Sequence, residues 1–185
     1  MAFAAVTTTS TLAELAREIS VDIANDQADN GKATLRTPVP TREGITNKGV
    51  TLFELPWTAK MERFTSELPK AIVKDVQRLV GDIAGARMRN TRPDEYRLPP
   101  AVFRAEFQND DSWLEILEDE IVILQPFNNP ANTLQDAKLR VRSDETKLEH
   151  SSVILVIGRN FYRPYPADVP LLTLKMFMER RADTV

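Results

Sequence analysis

Arg87, Arg89 and Arg92 fall within six positions in the stretch "GARMRNTR", beside small residues and no acid. Guanidinium groups placed so closely are suited to clamping phosphate oxygens without reading bases. Arg97, Arg140 and Arg142 extend this candidate nucleic-acid-binding set. The plainer alternative is a helix end, where cations interact favourably with the helix dipole. A second cluster is acidic: Asp110, Asp111, Glu115, Glu118, Asp119 and Glu120. On a helix, Asp111, Glu115 and Glu118 share one face, and three carboxylates together are a set that a divalent ion accepts. A solvated face, with acids favourably near a helix N-terminus, is the plainer reading and the better one. From Lys60 to Arg104 the chain is net basic, whereas the charges across 106–120 are all acidic. That opposition suits head-to-tail contacts between copies, with Asp111, Glu115 and Glu118 on the acidic side.

Signatures of catalysis are thin. There is no G-x-S-x-G turn, no P-loop and no G-x-G-x-x-G. The absence of cysteine removes disulfides, thiol catalysis and thiolate metal sites together. His150 is the one histidine among 185 residues, so a histidine-rich metal site cannot be built within one chain. Beside Ser151 and Ser152 it reads as a structural, hydrogen-bonded side chain. These observations predict a protein that is not an enzyme and carries no cofactor or metal. At a net charge of −3, any nucleic-acid contact must come from a local patch. No apolar run approaches the roughly 18 residues of a membrane helix, and the start lacks the basic region of a signal peptide. No membrane partner is expected.

The elements that would position these residues read mainly as helices. The first residues form a loose arm, followed by a helix over "STLAELAREISVDIAND". Ser10 or Thr11 caps it, Leu12, Leu15, Ala16, Ile19 and Ile23 line one side, and Asn30–Gly31 ends it. Pro38, Pro40, Gly44 and Gly49 punctuate a linker or extended arm over 31–50, with short strands considered at 33–36 and 50–54. A helical pair follows over 57–88, with Pro69 starting its second member. Residues 96–107 read as extended, and a helix ends before Pro126, with a strand at 120–124 as the rival. Residues 133–157 read as one long helix, against a helix at 131–149 followed by a strand "SVILVIG". A short helix over "DVPLLTLKMFMERRA" closes the chain. The expected fold is therefore mainly α, a helical bundle with a short extended segment and an N-terminal arm, with α+β as the alternative. Residues 1–55 form the helix and arm, and 56–185 the helical core.

This order of elements resembles the four-helix bundle of rod-shaped, tobamovirus-like plant virus coat proteins. The stretch "NPANTLQDAKLRVRSDETKLEHSSVILVIG" is similar to the helix that faces RNA in that family, and "FYRPYPADVPLLTLKMFMER" to its C-terminal stretch. The resemblance implies that Arg140 or Arg142, with Asp144, forms an Arg–Asp pair near single-stranded RNA. It implies a particle subunit whose partners are copies of itself and RNA, located in the virion and, during assembly, in the host cytoplasm. Asp144 joins Asp111, Glu115 and Glu118 as an assembly contact. A phage head–tail or tail protein without nucleic acid and a non-virion adaptor are the alternatives. An enzyme using the 110–120 acids with a divalent ion ranks last.

Overall fold

A computed structural model describes residues 3–29, 49–82, 86–89, 100–128 and 134–180, with backbone alone at 26–29 and 180. Among them are two α-helices and eleven strands. The strands are β1 (Phe3–Thr7), β2 (Val50–Glu54), β3 (Ala86–Arg89), β4 (Ala101–Phe107), β5 (Leu114–Glu115), β6 (Glu120–Pro126), β7 (Lys138–Val141), β8 (Asp144–Lys147), β9 (Ser152–Ile157), β10 (Phe161–Tyr165) and β11 (Leu171–Arg180). The helices are α1 (Ser10–Asp29) and α2 (Ala59–Gly81).

The strands form two sheets with antiparallel pairing throughout. The large sheet runs β1-β9-β6-β11-β4-β2, with β3 added beside β11, and the small sheet runs β5-β10-β7-β8. From β4 to β11 the chain alternates between the sheets, pausing only at the β7–β8 hairpin. This is the wrapping of a jelly roll. The expected helical bundle is thereby overturned, and the coat-protein resemblance falls with it.

The reason is visible in β6 and β9. Ile121 and Ile123 of β6, with Val153, Leu155 and Ile157 of β9, pack on one face with α1 and α2. Val122 and Leu124, with Ile154 and Val156, pack on the other face against the small sheet. A strand covered on both faces reads as an unbroken apolar run, which periodicity cannot distinguish from a buried helix segment. β11 is largely half-buried, and its apolar run with a single charge also reads as a closing helix. Residues 134–157 are not one helix but a 3-10 turn, β7, β8 and β9, with Arg142 in a positive-φ turn (φ 53°) between β7 and β8; the rival strands at 120–124 and over "SVILVIG" stand as β6 and β9.

Some local readings survive. Helix α1 buries Leu12, Leu15, Ala16, Ile19 and Ile23, but its first turn is capped by Thr9 rather than by Ser10 or Thr11, with Thr9 Oγ1 accepting the Leu12 N–H at 3.3 Å. Strands stand at 50–54 and 101–107. The linker reading over 31–48, the strand at 33–36 and the stop at Asn30–Gly31 lie outside the described residues. Helix α2 starts where Thr58 Oγ1 accepts the Met61 N–H at 3.3 Å and continues through Pro69. A proline inside a helix costs about 3 kcal/mol. Here an uninterrupted stripe from Met61 through Phe64, Leu68, Ile72, Val76, Leu79 and Val80 is buried, and each large apolar side chain contributes roughly 1.5–3 kcal/mol. Burial outweighs the proline. Lys60 joins the helices through Asp22 at 2.9 Å. Among the described residues no helix is long and apolar enough to cross a membrane.

Candidate functional site

One end of the jelly roll gathers the start of β6, the end of β9, the start of β10 and the middle of β11. Glu120 begins β6 and is only 2% exposed. Alternation along the strand places it with Val122 and Leu124, on the face toward the small sheet. Lys175 lies opposite Val122 in the β6–β11 register. Its Nζ donates to both Glu120 oxygens, at 2.9 and 3.0 Å. The Leu117 N–H adds a bond to Glu120 Oε2 at 3.3 Å. Tyr162, opposite Leu114 and Val141 in the small sheet, is buried beside them. Burial pushes its phenol well above the usual range, and the Glu120 charge adds to the rise. The arrangement is thus a buried carboxylate, its ammonium partner and a protonated phenol.

The surrounding loops are tightly built. A Cβ at Gly158 would lie 2.2 Å from the Leu117 carbonyl oxygen and 2.3 Å from that of Glu118, so only glycine allows these backbones to approach. The Ile116 N–H donates to the Asn160 carbonyl at 3.0 Å, and the Arg159 N–H to the Ile116 carbonyl at 3.1 Å. Asn160 Nδ2 donates to the Ile157 carbonyl at 2.6 Å. On this frame Leu117 and Phe161 stand out at 36% and 43% exposure.

The residues singled out from the sequence are dispersed. Arg87 and Arg89 lie on β3, pairing with Glu179 at 2.6 Å and Asp119 at 3.3 Å. Arg89 also sits over the Phe177 ring. Arg92 and Arg97 lie outside the described residues. Arg140 is on the other sheet, bonded to Glu145 at 2.7 Å. That bond raises the Arg140 pKa and lowers that of Glu145. Arg142 donates to the Arg159 carbonyl. The four described arginines therefore spread over two sheets and the β7–β8 turn and are engaged within the chain. The acids do not share a helical face either, because there is no helix there. Asp111 sits in a turn with its N–H on Asn109 Oδ1, Glu115 is in β5 opposite Phe161, and Glu118 pairs with Arg159 at 2.5 Å. Asp144 opens β8 opposite Val141. Among the described residues no three of His, Cys, Asp and Glu are grouped to hold a metal.

Sequence reasoning placed Glu120 among solvated acids and missed Lys175 and Tyr162. The available signal was one charge in each of two apolar runs, "EIVIL" and "LLTLKMFM". Their pairing becomes visible only when β6 and β11 are known neighbours.

No protein-family model matches the chain, and no curated protein matches its sequence. Solved structures do match in shape. A prolyl hydroxylase from Trichoplax adhaerens, in complex with a hypoxia inducible factor oxygen degradation domain peptide fragment, superposes with a TM-score of 0.50. It is 13% identical, and the match covers 95% of this chain and 83% of that one. A Pseudomonas putida prolyl-4-hydroxylase is 12% identical, with a TM-score of 0.49 and coverage of 97% and 93%. At such identity the first likeness is one of fold. It corrects the expectation of a virus or phage particle subunit, and neither of these two neighbours points to a coat protein, a phage tail or RNA. The expectation of a non-enzyme also falls as it was argued, because this fold is one that hydroxylases use.

The chain shares its fold with a prolyl hydroxylase, and non-haem iron oxygenases hold their metal with two histidines and one carboxylate. This chain does not fit that set. Its one histidine, His150, precedes β9, at the opposite end of that strand from the Glu120 cluster. His150 Nε2 lies 2.8 Å from Ser20 Oγ on α1. Glu120 is already engaged by Lys175.

Proposed function

We propose that this chain recognises an extended polypeptide segment at the rim formed by the β5–β10 ribbon. The observation that carries this reading is the exposure of Leu117 and Phe161, which lie on either side of the close backbone approach that Gly158 allows. Apolar side chains presented by a rigid frame, with charged neighbours around them, suit a partner that brings its own apolar anchors. Glu118, Arg159 and Arg142 supply those charges. The Trichoplax neighbour, seen with a peptide fragment, supports a polypeptide as the class of ligand.

A peptide array of unstructured 15-residue segments, probed with labelled protein, tests the reading. Wild type is expected to retain a subset rich in apolar residues. The double variant Leu117→Asp, Phe161→Asp is expected to lose at least tenfold in retention while melting at the wild-type temperature. Equal retention by both proteins would remove the rim from consideration, and no retention by wild type would remove the polypeptide reading.

A further inference from the structure

The end of the jelly roll that carries Glu120 has a run of three consecutive acids, Glu118, Asp119 and Glu120. Each is matched by a different basic residue of the same chain: Arg159 at 2.5 Å, Arg89 at 3.3 Å and Lys175 at 2.9 Å. The three cations arrive from three separate places, the β9–β10 turn, β3 and β11. Only Glu120 points into the space between the sheets, and it is the most deeply buried of the three. A buried carboxylate needs a compensating positive charge, because the desolvation cost of an unpaired one is several kcal/mol. In many proteins a divalent ion meets that need, with several ligands converging on it. Here the ammonium of Lys175 meets it, lying on both carboxylate oxygens, and the Leu117 N–H takes a further lone pair.

We propose that the Lys175 ammonium is the permanent counter-cation of the space between the sheets, so that this protein of hydroxylase fold reaches its native state with no resident metal. A metal ion entering here would have to expel the ammonium from Glu120 and would then find too few ligands. The neighbouring acids are engaged outward by Arg159 and Arg89, and Tyr162 stays a neutral phenol. The proposal concerns the metal and leaves open other chemistry on the fold. It is independent of polypeptide binding at the rim.

The full-length protein, purified without added metal, is analysed by plasma mass spectrometry. It is then melted in EDTA, in anaerobic Fe(II), in Mn(II) and in Zn(II). The expected result is far less than one transition metal per chain and one melting temperature in all conditions. Lys175→Met should lower that temperature by several degrees, and Glu120→Leu combined with Lys175→Met should restore most of the loss, as uncharged replacements of buried pairs do. If Lys175→Met does not fold, the double variant carries the comparison by itself: near wild-type melting supports the pair as a self-contained charge unit, and failure of the double variant overturns it. Stoichiometric iron or another transition metal, a melting temperature lowered by EDTA, or an unaffected Lys175→Met would each overturn the proposal. No peptide enters these measurements, so their failure and that of the rim reading are distinct.

Discussion

Two polar clusters sit at opposite ends of β6, and they are built on different principles. At its start, on the side of the small sheet, Glu120 and Lys175 form an ionic pair between otherwise apolar layers. At its far end, on the helix side, the groups are hydrogen-bonded without an opposite-charge pair. Ser20 Oγ lies 3.0 Å from the Ala16 carbonyl and 2.8 Å from His150 Nε2, and it accepts the Asn128 N–H at 3.0 Å. Gln125 Nε2 donates to the Pro126 carbonyl at 3.1 Å. The neutral cluster stitches α1 to two loops. The ionic cluster ties two neighbouring strands of the large sheet, β6 and β11, on the face toward the small sheet. A hydrogen-bonded hub can lose one member and partly re-solvate at the surface, whereas a buried charge that loses its partner has nowhere to go.

The sharpest way to break this contrast is Glu120→Gln. It leaves the Lys175 ammonium facing an amide, and the loss should be about 3 kcal/mol in urea unfolding. A loss no larger than that of the neutral cluster would erase the distinction. Ser20→Ala should cost about 1–3 kcal/mol, because the Asn128 N–H and His150 both lose their partner; native-state hydrogen exchange should show the Asn128 amide opening first. The smallest expected effect is a pH dependence confined to the neutral cluster. Burial, with a contribution from Arg17, holds the His150 pKa below its ordinary value of 6.5. The unfolded chain therefore binds the proton more readily than the native one. The stability that His150 contributes is fully present above about pH 6.5 and is lost as pH falls through its lowered native value. Urea midpoints measured on both sides of pH 6.5 should show this slope in wild type and not in His150→Gln.

The sequence was legible where a residue pattern had one structural meaning. The apolar stripe of α1 and that of α2 could be read directly because their polar faces meet solvent. The strands β6 and β9 were legible only as rivals to helices, because burial on both faces erases the alternation that marks a strand, and β11 reads as a helix. Pro69 misled for a related reason: a local rule about proline was overridden by packing along the whole of α2. At the candidate site the residue types were visible and their relations were not. Glu120 and Lys175 are 55 positions apart, and nothing short of the β6–β11 register brings them together. Arg87 and Arg89 looked like a free basic patch because Glu179 and Asp119, their partners, are remote in sequence.

The placement of β1 has a consequence for how the molecule is made. Among the described residues, Phe3 through Thr7 pair only with Ser152 through Val156 of β9. Ribosomes extend a chain at roughly 5–20 residues per second, so on the order of ten seconds separate the birth of the two strands. Throughout that interval the apolar segment "FAAVT" has been made and its native neighbour has not. The large sheet is therefore completed late in synthesis or after it, and an outside strand that reaches β1 first would compete with β9 for the same edge.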